Sequence, residues 1–184
     1  HVSAKTILIA HRAAAVRDRF AVALADARHE FVMAESEAAA KAAVAQPGRP
    51  LSLALIDLAL SPDAVGFVRA VRESSAPPLP VVVFAGTVAS AADIPALARM
   101  QVGYINEHAA TPVILPSLAP HLFPDNFNRR GSPRLVLGIP IAYRAGGTIA
   151  AALTLNINRG GMAIRTTGPL ERDTEVKLRF RLPG

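Results

Sequence analysis

The chain contains no cysteine and no tryptophan, and only 2 Tyr and 7 Phe in 184 residues. Without cysteine there can be no disulfide and no thiolate metal site, which fits a reducing compartment and makes a cytoplasmic location the expectation. Scarce aromatics argue against a stacking platform for sugars. No apolar run approaches the ~20 residues needed to span a bilayer, so membrane insertion is not expected. The first residues hold one lysine and a short apolar run with charges soon after, which is not signal-like, and His1 in place of Met reads as a trimmed end. No carboxylate pair, Ser/His arrangement or metal-ligand cluster with sensible spacing is found, so neither an enzyme nor a metal site is expected. What is present is apolar: 51% of residues, enough to fill the cores of one large or two small domains.

Charge is distributed unevenly. The net formal charge is +6. Residues 1–125 hold 10 Lys and Arg against 11 Asp and Glu, whereas residues 126–184 hold 10 against 3. The basic excess therefore lies in the last third, which should attract an anion, a nucleic acid or an acidic protein face. No recognition-helix pattern accompanies these arginines, so DNA is not the expected partner.

Two clusters in that third carry the chemistry. Arg129-Arg130-Gly131-Ser132-Pro133-Arg134 offers planar cations that grip phosphate bidentately and stack on flat bases. Asn156-Ile157-Asn158-Arg159-Gly160-Gly161 offers amides for base edges and glycines that let backbone approach a ligand closely. Together they suit a compact anionic purine nucleotide better than a metabolite or a metal.

The periodicity of residues 1–122 alternates between strand and helix. Short, near-continuous apolar runs at 5–10, 30–34, 51–57, 80–85 and 102–105 read as strands. Helical spacing marks 12–27, with Arg17, Asp18 and Arg19 toward water, and also 37–45 behind a Ser36 cap, 64–73, 91–100 and 113–122 after Pro112. This predicts an α/β doubly wound, flavodoxin-like parallel sheet covered on both faces, with sites at the carboxyl ends of its strands. Those ends are His11-Arg12, Asp57, Ala85-Gly86 and Asn106-Glu107. Residues 123–128 read as a linker. Beyond it, 135–143 and 148–155 are strand-like around a Gly146-Gly147 turn, followed by 162–166 and an alternating segment at 175–182. With about four such strands, residues 129–184 predict a small and partial antiparallel β-barrel, truncated or partly disordered toward its C-terminus.

The first 122 residues resemble a response-regulator receiver domain, most closely at Asp57-Leu58-Ala59-Leu60-Ser61-Pro62, which looks like the phosphoacceptor segment. The resemblance implies an acidic pair after the first strand to hold Mg²⁺, a cation that prefers carboxylate oxygens. His11 and Arg12 stand there instead. Ala85 stands at the family's Ser/Thr, Glu107 at its Lys and His108 at the following Pro. Asp57 alone matches. Phosphoryl transfer depends on neutralising the incoming charge, so a pseudo-receiver is expected. In it Asp57 caps a strand end or pairs with Arg12 and is not phosphorylated.

Residues 127–184 resemble the PilZ domain, whose family binds cyclic di-GMP. Arg130 and Arg134 match its R-x-x-x-R pair, with Arg129 adjacent. Asn156 and Gly161 match the first and last positions of D/N-x-S-x-x-G, and Asn158 replaces the serine. The resemblance implies that Arg130 and Arg134 swing onto the ligand from the lead-in segment and that Asn156 meets a guanine edge. Losing one neutral hydrogen bond at position 158 would weaken binding by about 0.5–1.5 kcal/mol, roughly three- to tenfold.

The expectation is a non-catalytic cyclic di-GMP effector in bacterial control of motility or surface behaviour. Its alternative is an adaptor that binds only proteins. Partners would be signalling or motility proteins reached through the receiver-like domain. Val113, Ile114, Leu115 and Leu118 exceed what one helix face needs, which fits either a homodimer or partner surface or ordinary core packing.

Overall fold

In a computed structural model of the chain, residues 3–84, 92–124, 135–136, 140–158, 161–166 and 170–179 are described. Five parallel strands form the first sheet: β1 (Thr6–Ala10), β2 (Glu30–Ala34), β3 (Leu53–Ile56), β4 (Val81–Phe84) and β5 (Gly103–Ile105), in the order β2-β1-β3-β4-β5. The intervening helices are α1 (Ala14–Asp26), α2 (Glu37–Ala45), α3 (Ala64–Arg72), α4 (Asp93–Arg99) and α5 (Thr111–Leu122). Each parallel crossover requires such a helix, which explains the strict alternation.

The strand side chains divide by parity. Ile7, Ile9, Leu53, Leu55, Val82 and Phe84 pack with Val16, Phe20 and Leu24 of α1 and with Ile114, Leu118 and Leu122 of α5. Leu8, Ala10, Ala54, Ile56, Val81 and Val83 pack on the other face with Phe67, Val68 and Val71 of α3 and with Leu97 of α4. Burial on both faces is why these strands read as continuous apolar runs. Ser36 caps α2, its Oγ accepting from the Ala39 N–H at 3.1 Å.

Three details refine the sequence reading. Helix α5 begins at Thr111, before Pro112, because a proline in the first turn lacks only an N–H that has no helical partner there. Ile114 and Leu118 are core residues, leaving Val113 as the exposed member of the four, at 52%. Arg17 and Arg19 do not face water; they turn to the strand ends described below.

The second sheet is antiparallel. It comprises β6 (Leu135–Val136), β7 (Pro140–Ala145), β8 (Thr148–Asn158), β9 (Gly161–Thr166) and β10 (Val176–Arg179), in the order β10-β7-β8-β6 with β9 also paired to β8. Gly146, at φ +59°, turns β7 into β8 in a backbone region that disfavours a side chain. Ile141, Tyr143 and Ala152 are buried, while Ala142 and Arg144 between them are exposed, the alternation of a one-sided sheet. The arrangement is consistent with a PilZ-like barrel. β8 is longer than its apolar pattern suggests. It runs through Asn158 because β6 and β9 supply pairing partners that override the poor strand propensity of asparagine.

Candidate functional site

Asp57 follows β3 at the carboxyl edge of the first sheet and is 1% exposed. Its amide N–H donates to the Ala10 carbonyl at 2.8 Å, which fixes it beside the end of β1. Its carboxylate is answered mainly by backbone. Oδ1 accepts from the Ala59 N–H at 3.0 Å, capping a short 3-10 turn. Oδ2 accepts from the Arg12 N–H at 3.3 Å and lies 3.7 Å from Arg12 Nε. A carboxylate taken out of water requires such partners.

His11 is equally buried and stands edge-on to Phe84, with ring centroids 4.9 Å apart. Its Nδ1 accepts from the Ala13 N–H at 2.9 Å. That nitrogen must present a lone pair, so in the neutral ring the proton sits on Nε2. Nε2 donates to Glu107 Oε2 at 2.8 Å and lies 3.7 Å from Asp57 Oδ2. Glu107 Oε1 is 3.3 Å from His108 Nε2, and the Glu107 carbonyl accepts from Arg19 Nη2. Arg17 Nη1 donates to the carbonyls of His11 at 2.6 Å and Arg12 at 3.0 Å, and Nη2 lies 3.7 Å from Glu35.

Sequence reasoning misses this use of Arg17, Arg19 and Glu107. The available signal is an arginine within two turns of a strand's end, where strand carbonyls lack partners. The pairing of His11 with Glu107 spans 96 residues, and no local pattern reports it.

The receiver fold implies Mg²⁺ at this edge. The residues present do not fit it. Hard cations require several oxygen ligands with free lone pairs. Here Arg12 Nε approaches Asp57 Oδ2, and His11 turns an N–H toward both carboxylates. Among the described residues, no group of three or more His, Asp or Glu is arranged to hold a metal ion. Ala85, at the family's Ser/Thr position, lies outside the described residues.

In the second sheet, Asn156 pairs with Val136 of β6 on one side and Ala163 of β9 on the other. Asn158 pairs with Gly161, with two residues between them, so Asn158 and Gly161 close the β8–β9 hairpin. The register shifts by one between Thr154 and Asn156, an irregularity just before the motif. Leu135, which directly follows Arg134 in the chain, pairs with Ile157, between the two asparagines. β6, which begins directly after the first motif in the sequence, thus pairs with the part of β8 that carries the two asparagines. Arg129, Arg130, Arg134, Arg159 and Gly160 lie outside the described residues.

Among the described residues no helix is long and apolar enough to cross a membrane. No curated protein matches the sequence. The first sheet and its helices are similar to solved receiver structures. A CheY-like response-regulator receiver domain protein from Methanospirillum hungatei JF-1 is 19% identical with a TM-score of 0.57, covering 68% of this chain and 99% of that one. A chemotaxis response regulator of Vibrio cholerae is 18% identical with a TM-score of 0.55, covering 65% of this chain and all of that one. A receiver protein from Sinorhizobium medicae WSM419 is 21% identical with a TM-score of 0.53, covering 66% of this chain and 97% of that one. At these identities the likeness establishes the fold alone. Residues 128–184 match the PilZ domain family, whose members generally bind cyclic di-GMP. The chain thus carries a PilZ domain at residues 128–184, preceded by a domain with the fold of response-regulator receivers.

Proposed function

We propose that this chain is a non-catalytic bacterial signalling protein in which a pseudo-receiver, residues 1–122, is joined by a short linker to a cyclic di-GMP-binding PilZ domain at 129–184. The observation that carries the reading is the register of β6 on β8. It seats Leu135, the residue after Arg134 in the sequence, opposite Ile157, between Asn156 and Asn158. A ligand with two phosphates and two guanines requires that combination, cations for the phosphates and amides for the base edges. Arg130 and Arg134 grip phosphate, Arg129 adds charge, Asn156 meets a guanine edge and Gly161 permits close approach. The basic excess of residues 126–184 supports the same ligand. Binding changes how the PilZ domain presents itself to signalling or motility proteins in the cytoplasm.

The pseudo-receiver reading is supported by the hydrogen-bonded packing of Asp57, which leaves its oxygens engaged by Ala59 and Arg12. A second reading, an adaptor that binds only proteins, is favoured by Asn158 standing where the family motif has serine. Calorimetric titration of cyclic di-GMP into the full chain separates the two. Micromolar binding that Arg134→Ala removes supports the effector. Absence of heat from a folded protein up to high micromolar ligand leaves the adaptor.

A further inference from the structure

The carboxyl edge of the first sheet contains more than an absence of acidic ligands. Three side chains converge there from distant parts of the chain: His11 after β1, Asp57 after β3 and Glu107 after β5. His11 Nε2 is the common point, 2.8 Å from Glu107 Oε2 and 3.7 Å from Asp57 Oδ2. A His, an Asp and a Glu so placed could pass for a metal triad. The opposite ring nitrogen decides otherwise. A metal-ligating histidine donates its second N–H to an acceptor. Here Nδ1 faces a donor, the Ala13 amide, at 2.9 Å. The Nε2 lone pair is therefore taken up by a proton.

We propose that the Nε2–H of His11, held in that tautomer by the Ala13 amide, takes the place of a divalent cation between the carboxylates of Asp57 and Glu107 and closes the site to metal. The pair also ties the β1–α1 connection to the β5–α5 connection. Arg17 holds the first from its His11 and Arg12 carbonyls, and Arg19 holds the second from the Glu107 carbonyl. His11 and Glu107 are positioning residues that give the pseudo-receiver one fixed arrangement without a cofactor. This rests on the pseudo-receiver reading and is independent of nucleotide binding.

The test uses the full chain and Mn²⁺ as the probe. In wild type, ¹⁵N spectra of the His11 ring are expected to show the proton on Nε2. Mn²⁺ up to millimolar concentration is expected to leave amide signals near residues 11–13, 57–59 and 105–108 unbroadened. His11→Asp removes the N–H and brings a third carboxylate to the same point. It is expected to bind Mn²⁺ at least tenfold more tightly than wild type, with broadening confined to those segments. Glu107→Gln keeps an oxygen to accept from Nε2–H and is expected to retain the tautomer. A proton found on Nδ1, Mn²⁺ broadening of those segments in wild type, or a folded His11→Asp variant that ignores Mn²⁺ would each overturn the proposal. The tautomer and the wild-type titration need no variant, so a misfolded His11→Asp leaves the test decisive. Failure of cyclic di-GMP to bind would leave these results unaffected, so the two readings fail separately.

Discussion

The two sheets of this protein treat polar residues in opposite ways. At the carboxyl edge of the parallel sheet, charged and titratable groups are buried and answered from within: Asp57 by backbone amides, His11 by Glu107, and the strand-end carbonyls by Arg17 and Arg19. In the antiparallel sheet the charge is nearly all of one sign, and the exposed Arg144, Lys177 and Arg179 have no acidic partner among the described residues. A site whose charges balance internally has little left to offer a ligand. A site with an uncompensated excess of one sign attracts a counter-charge from solution. On the function proposed above, the first edge does structural work and the second region binds the ligand.

The sharpest way to break that contrast is to exchange the effects. On the proposed function Arg134→Ala removes a charge-assisted phosphate contact, and the expected loss of about 1.5–3 kcal/mol corresponds to roughly ten- to hundredfold in cyclic di-GMP affinity. Asp57→Asn is expected to leave that affinity within about twofold. A calorimetric series over both variants checks this, and a reversed ranking would mean that the first edge takes part in binding.

The next effect concerns stability. Glu107→Ala leaves the buried Nε2–H of His11 without its acceptor, which is expected to destabilise the protein by about 1–3 kcal/mol in urea unfolding. Glu107→Gln should recover most of it.

A pH effect follows from two other histidines. Burial lowers the pKa of His121, and burial followed by the charge of Lys5 lowers that of His29. The folded protein therefore takes up these protons less readily than the unfolded chain. Stability is full above about 6.5, the ordinary histidine value, and falls as pH drops from there through the lowered folded-state values. All five histidines precede residue 122, so the acid loss should appear in the receiver-fold domain and spare the PilZ domain. Hydrogen exchange resolved by segment, between pH 7 and pH 5, would show uniform loss if this is wrong.

The smallest effect calibrates the others. Ser36→Ala removes the α2 cap and is expected to lower stability by about 1 kcal/mol without altering nucleotide affinity.

Much of the parallel domain is legible in the sequence because its signals are local. The 30–34 run coincides with β2, and Ser36 with Glu37 opens α2 where the capping pattern predicts. The arginines of α1 mislead for a physical reason. Helical periodicity treats a charged residue as solvated, but Arg17 and Arg19 find acceptors in strand-end carbonyls that periodicity does not represent. Glu107 reads from sequence only as a missing lysine, and its role appears when folding brings it to His11. In the PilZ domain the apolar strand pattern ends at residue 155, and cross-strand pairing carries β8 on through Asn156 and Asn158.

The central claim is that one region is closed and the other open. Consecutive calorimetric titrations of Mn²⁺ and cyclic di-GMP into the same wild-type sample test it most directly. The account predicts no heat from Mn²⁺ and a saturable micromolar isotherm from cyclic di-GMP. A saturable Mn²⁺ isotherm with silence from the nucleotide would contradict it.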